Sequence, residues 1–147
     1  MNKILLIGKT GSGKTSLIQR LQGEDFIHRK TQAITFNGIF VDSPGEFLEN
    51  RRLYPALMTS SVSCNMIALV QDATAINSVF PPEFASMFKK RVIGIVTKID
   101  KESSFSERAE KFLQRAGADE IIRTSALEKT GLGLLRAAIT GEELDEI

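Results

Sequence analysis

The segment Gly8-Lys9-Thr10-Gly11-Ser12-Gly13-Lys14-Thr15 follows the apolar run Ile4 to Ile7 and leads into a helical pattern. Strand, glycine-rich turn and helix start, in that order, are what a phosphate-binding loop requires. The glycines let the backbone curl until successive N–H groups converge on one anion, beside the positive end of the helix. Gly8, Lys9, Thr10, Gly11, Ser12 and Gly13 would form the cradle. Lys14 would reach the β and γ phosphates of a nucleotide, and the Thr15 hydroxyl would ligate Mg²⁺. A surface turn that happens to carry a lysine is the competing reading, and the strand ahead of the loop disfavours it.

Four apolar segments recur along the chain: Lys3 to Ile7, Met66 to Val70, Val92 to Val96, and Ile121 with Ile122. They are short, rich in Ile and Val and not strictly alternating, as expected of strands covered on both faces. Helical patterns fall between them, so the predicted fold is α/β: three layers, with a mostly parallel sheet and one antiparallel edge strand. The edge comes from Ile34 to Val41, where Asn37-Gly38 supplies the two positive-φ positions of a type I′ hairpin. Helices are expected from Lys14 to Leu21, ending at Gly23, and from Leu132 to Thr140, with Leu134, Leu135, Ala138 and Ile139 inward. Pro82 fits the first turn of a short helix through Phe88. Ser104 and Glu107 have capping-box spacing ahead of a helix that turns Ala109, Phe112, Leu113 and Ala116 inward and stops at Gly117.

Size and composition narrow the options. A chain of 147 residues suits one domain, read here as residues 1–141 with an acidic tail over 142–147. A net charge of +1 gives no strongly basic face for nucleic acid. Lys89-Lys90-Arg91 reads as a solvated helix end. Cys64 stands alone, which excludes an intrachain disulfide, and reads as a small buried side chain. His28 is also alone. No signal-peptide core and no apolar stretch near about 18 residues is present, so the chain reads as cytoplasmic, without membrane insertion.

Three later segments choose among phosphate-loop chemistries. Asp42-Ser43-Pro44-Gly45 follows a strand, so Asp42 can hold Mg²⁺ through water while Gly45 offers its N–H to a terminal phosphate. Thr97-Lys98-Ile99-Asp100 follows the third buried run. The Asp100 carboxylate can accept from guanine N1–H and its exocyclic amine, a donor pair that adenine lacks. The aliphatic stem of Lys98 can cover the base. Thr124-Ser125-Ala126 follows the fourth run, with the Ala126 N–H placed for guanine O6 and Leu127 beside it.

Together these segments resemble the Ras-like, translation-factor-related GTPase superfamily. They match its phosphate loop, its Asp-x-x-Gly motif, its Asn/Thr-Lys-x-Asp base motif and its Ser-Ala motif. The resemblance implies GTP or GDP with Mg²⁺ as ligands, and a switch threonine closing on the metal and γ-phosphate. Thr31 is favoured for that role over Thr35, which falls inside a strand pattern. A closer resemblance rests on Lys30-Thr31-Gln32-Ala33, Asp42-Ser43-Pro44-Gly45-Glu46 with Glu49-Asn50-Arg51-Arg52, Ala68-Leu69-Val70-Gln71, Phe80-Pro81-Pro82 and Gly94 to Asp100. These look like the EutP/PduV family of ethanolamine and propanediol utilisation. That resemblance implies a bacterial protein associated with microcompartments, with a shell or effector protein as partner.

Departures from the superfamily pattern shape the expected chemistry. Glu46 stands where a water-positioning glutamine is usual; it can accept a hydrogen bond but adds negative charge near the phosphates. Slow GTP hydrolysis is therefore expected, with Lys14, Thr31, Gly45 and Glu46 as the catalytic set. Thr10 would crowd an inserted arginine finger. Arg51 and Arg52 either dock a partner or form a solvated face. Two rival functions remain: phosphoryl transfer of the acetate kinase type, and a non-catalytic nucleotide-binding scaffold.

Overall fold

The computed structural model describes residues 3–21, 35–37 and 39–140. Strands β1 (Ile4–Gly8), β2 (Thr35–Asn37), β3 (Phe40–Asp42), β4 (Met66–Asp72), β5 (Arg91–Thr97) and β6 (Glu120–Arg123) form one sheet in the order β2-β3-β1-β4-β5-β6. All neighbouring pairs are parallel except β2 with β3, the antiparallel edge. Helices α1 (Lys14–Leu21), α2 (Gly45–Glu49), α3 (Tyr54–Ser61), α4 (Ser106–Ala116) and α5 (Leu132–Thr140) occupy the connections, with 3-10 turns at Arg51–Leu53 and Phe84–Met87.

Strand alternation separates two cores. Leu5, Ile7, Val41, Ile67, Leu69, Val92 and Val96 face Leu48 of α2, Leu57 of α3, and Ala109, Leu113 and Ala116 of α4. Ile4, Leu6, Phe40, Ala68, Val70, Ile93 and Ile95 face Leu17 and Ile18 of α1 and Leu132, Leu135 and Ile139 of α5. The result is the three-layer α/β/α arrangement of a small P-loop NTPase fold. A helix as short as α1 is marginal alone; burying Leu17 and Ile18 at about 1.5–3 kcal/mol each holds it on the sheet. Gly94 lets α4 come close, since a Cβ there would lie 2.9 Å from Leu113 Cδ1. Gly117, at φ 97°, ends α4 as its sequence position predicts.

The strand order reverses at β1, whose partners are β3 on one side and β4 on the other. Open α/β sheets bind ligands beyond the carboxyl ends of the strands at such a reversal. The phosphate loop leaves β1 at that point.

Several local expectations are corrected. The hairpin forms, but its register pairs Asn37 with Phe40, so the connection begins after Asn37 instead of including it. Ser104 is no N-cap: α4 begins at Ser106, Phe105 caps it without a side-chain bond, and the Ser104 hydroxyl donates to Ile99 O at 3.1 Å. Pro82 precedes the 3-10 turn that stands where a helix through Phe88 was expected. On α5, Leu134 is exposed while Leu132 takes a core position, and on α4 Phe112 is only half-buried. Lys90 is no idle solvated charge. Its ammonium donates to the carbonyl oxygens of Ser61, Val62 and Cys64, closing the end of α3. Cys64 is buried as expected. Gly23, His28 and the 142–147 tail lie outside the described residues.

Candidate nucleotide site

The loop from Gly8 to Thr15 turns tightly, with Gly11 and Gly13 at φ 84° and 100°. Those left-handed conformations favour glycine and turn the backbone amides inward. A Cβ at Gly8 would lie 2.7 Å from Ser12 Oγ and 2.9 Å from Val70 O, so this position too has no room for a side chain. Lys14 is buried at the first turn of α1, its Nζ donating to Gly8 O at 2.8 Å and Lys9 O at 3.4 Å. Burial holds its pKa below the ordinary lysine value, opposed by the charges of Asp42 and Glu49. Ser12 Oγ is buried without a hydrogen-bond partner among the described residues. Such an orphan fits a loop whose ligand brings acceptors of its own.

Thr15 Oγ1 donates to Asp42 Oδ2 at 3.2 Å, bringing a hydroxyl and a carboxylate side by side at the carboxyl ends of β1 and β3. Two hard oxygen donors next to a phosphate cradle suit Mg²⁺, which completes its shell with phosphates and water. The chain after Asp42 is pinned by the Ser43 hydroxyl, which donates to Leu6 O at 2.7 Å. Gly45 then starts α2 directly against Thr10, where a Cβ would overlap the Thr10 backbone nitrogen and hydroxyl. Glu46 is exposed and makes no side-chain hydrogen bond to a described residue. The carboxylate that meets the loop is Glu49, one turn later. Its Oε2 accepts from Thr10 N at 3.3 Å and from Thr10 Oγ1 at 2.9 Å.

Residues at the end of β5 and just after it are tied to the same loop. Thr97 Oγ1 donates to Ser12 O at 2.5 Å, and Lys98 Nζ donates to Gly11 O at 2.6 Å and to Asp72 Oδ2 at 2.8 Å. Lys98 adopts φ 62°, a strained backbone for a lysine, which leaves its stem lying across this side of the loop. Burial acts to raise the Asp72 pKa, yet hydrogen bonds from Lys98 and Thr74 outweigh it and hold the carboxyl below its ordinary value. Asp100 is half-buried, and its Oδ1 accepts from Ser125 Oγ at 2.7 Å. The Glu128 amide donates to the same hydroxyl at 3.0 Å, which fixes its orientation. A bridge between Ser125 and Thr130 closes the loop carrying Ala126 and the exposed Leu127.

The structure therefore brings together Gly8 to Thr15, Asp42 and Gly45 on one side, and Thr97, Lys98, Asp100 and Ser125 on the other. Thr31 lies outside the described residues; Thr35 is in β2 with its side chain outside them. Two site residues escaped the sequence reading, Glu49 and Asp72. Asp72 ends β4 beside β1, and that position at a strand's carboxyl end was the available signal. For Glu49 it was the spacing of three from Glu46 on one short helix.

Among the described residues no helix is long and apolar enough to cross a membrane. The family described as ethanolamine utilisation and propanediol utilisation, PduV-EutP, matches residues 1–141. A Citrobacter freundii protein named Propanediol utilization protein PduV is 46% identical over 133 residues, which is 90% of this chain and 89% of the relative. An Escherichia coli K12 protein named Probable acetate kinase EutP is 34% identical over 122 residues, covering 82% of this chain and 77% of the relative.

Proposed function

Because the chain belongs to the PduV-EutP family of ethanolamine and propanediol utilisation, we propose that it is a Mg²⁺-dependent guanine-nucleotide switch of that metabolism. It binds GTP and GDP, hydrolyses GTP slowly, and works with a microcompartment shell or effector protein. The observation that carries this reading is the linkage of Lys98 and Thr97 to the phosphate-loop carbonyls, with Asp100 held by Ser125. That linkage ties the segment carrying Asp100 to the phosphate loop, which supports a role for its carboxylate in selecting the purine. A site for phosphate alone has no need of it.

Each side chain has a definable task. The loop amides and Lys14 bind the phosphates and offset their charge. Thr15 and Asp42 would hold Mg²⁺, which supplies charge neutralisation at the phosphate oxygens. Gly45 presents its backbone N–H toward the terminal phosphate. Thr31 serves as the switch threonine. Asp100 accepts the guanine donors, Ala126 meets O6, and Lys98 covers the ring. No hydrogen bond holds Glu46 against the loop, so water positioning is poorly preorganised and turnover is slow.

Calorimetric titration with GTP, GDP and ATP in the presence of Mg²⁺ tests this. Guanine nucleotides should bind at least about a hundredfold tighter than ATP, an advantage that should vanish in Asp100→Ala. Equal affinity for GTP and ATP in the parent protein would refute it.

The name carried by the Escherichia coli relative supports a second reading, phosphoryl transfer between ATP and acetate. A cavity of about 130 Å³ adjoins Lys9 to Ser12, and its lining includes Asp72, whose carboxylate is already paired with Lys98. Acetyl phosphate formed from ATP and acetate by purified protein, and lost in Lys14→Ala, would establish that activity.

A further inference from the structure

Thr10 lies between two features of α2. Gly45 packs on its backbone, and the Glu49 carboxylate takes both of its polar hydrogens, from the amide and the hydroxyl. Glu49 is also close enough to Lys14 for its charge to act on that ammonium. A terminal phosphate that contacts both Lys14 and the Gly45 amide must lie in this same region, beside Thr10. A carboxylate presents two anionic oxygens to such donors much as a phosphate does. Both groups are negative, so the two repel each other at short range and cannot share the Thr10 donors.

We propose that Glu49 is the specificity-determining residue for phosphate number, an internal anion that holds Thr10 in place of a terminal phosphate. A diphosphate, which ends short of this region, leaves the Glu49–Thr10 contact intact. A triphosphate must displace the carboxylate and so releases α2 together with the Arg51–Leu53 turn that follows it. Release of Glu49 thus converts the third phosphate into movement of one surface of the protein. Glu46, three residues earlier, has no such contact, although both carboxylates are exposed. The proposal rests on the nucleotide reading above and adds the residue that makes it respond to the terminal phosphate.

The test compares the parent protein with Glu49→Gln and Glu49→Ala, titrated in Mg²⁺ with GTP, GDP, inorganic triphosphate and pyrophosphate. Removing a charged group's hydrogen bonds and its repulsion should raise the ratio of triphosphate to diphosphate affinity about tenfold. GDP affinity should stay within about twofold, because the diphosphate does not compete with Glu49. Without ligand, the Thr10 amide resonance should shift in Glu49→Gln, and the same spectrum reports whether the variant is folded. A ratio unchanged in Glu49→Gln, a Thr10 resonance that stays put, or weaker triphosphate binding in either variant overturns the proposal. If the parent protein fails to prefer guanine, the guanine reading falls, and inorganic triphosphate against pyrophosphate still decides for or against Glu49. If no polyphosphate binds at all, both readings fall.

Discussion

The Lys98 ammonium donates to the carbonyl oxygen of Gly11 at 2.6 Å, spanning 87 positions of sequence to join the segment after β5 to the glycine-rich loop. Thr97 makes a parallel tie to Ser12. The loop is therefore held from outside by β5 as well as from within by its glycines, and loss of either tie should be felt at both halves of the site.

Lys98→Ala removes that tie and leaves Asp72, whose side chain is 18% exposed, without its cation. Leaving a mostly buried carboxylate unpaired costs about 1–3 kcal/mol, so the urea midpoint should fall. Guanine-nucleotide affinity should drop by about tenfold to a hundredfold. Calorimetry and urea melts check the two effects; a loss in binding with no loss in stability would separate Lys98 from the loop's support.

Gly45→Ala would drive a methyl group into the Thr10 backbone. The start of α2 must then withdraw, taking its amide away from the phosphate region. Loss of one preorganised donor lowers turnover about a hundredfold or more, and single-turnover hydrolysis should show it. A rate within about threefold of the parent would mean that the Gly45 amide has no part in the reaction.

Asp72 titrates below its ordinary value of 3.8, so the folded protein binds this proton less tightly than the unfolded chain. Its contribution to stability is present above pH 3.8 and disappears as pH falls through the lower folded value. Asp72→Asn should therefore be less stable than the parent at neutral pH and show a shallower decline in acid. Denaturant melts from pH 6 downward measure this, taking about pH 6 as a point where ordinary aspartates are ionised. Parallel acid limbs for the two proteins would contradict it.

Lys90→Met should lose the closure of α3, where the ammonium serves the Val62 and Cys64 carbonyls at 3.1 and 2.5 Å. Unsatisfied carbonyls at a helix end predict destabilisation of about 1–2 kcal/mol, with GTP affinity unchanged because the site lies at the opposite ends of the strands. Reduced affinity at full folding would show that α3 communicates with the phosphate loop.

Where physics is local, the sequence was a good guide. Helix α1 spans Lys14–Leu21 and α5 spans Leu132–Thr140, both where the apolar spacing indicates a helix. The strand cores were legible because Ile and Val runs covered on both faces have few alternatives. Asp42, Lys98, Asp100 and Ser125 could be grouped because each follows a strand at the same sheet edge. Contacts set by tertiary approach were not legible. Ser104 has the right spacing for a cap, yet its hydroxyl goes to Ile99 O in the preceding loop. Leu134 fits the helical stripe, but the face of α5 that meets the sheet carries Leu132 in the core instead. Glu49 rather than Glu46 reaches Thr10, because one turn of a short helix decides which carboxylate faces the loop and no periodicity reveals the helix's rotation.

The bridge between Ser125 and Thr130 makes the loop carrying Ala126 and Leu127 a small closed ring, beside an Asp100 carboxylate already oriented by Ser125. Little further ordering is left for a nucleoside to impose there. Guanosine alone should consequently be recognised in the same pose as the full nucleotide, leaving any slow rearrangement to the phosphate end of the ligand.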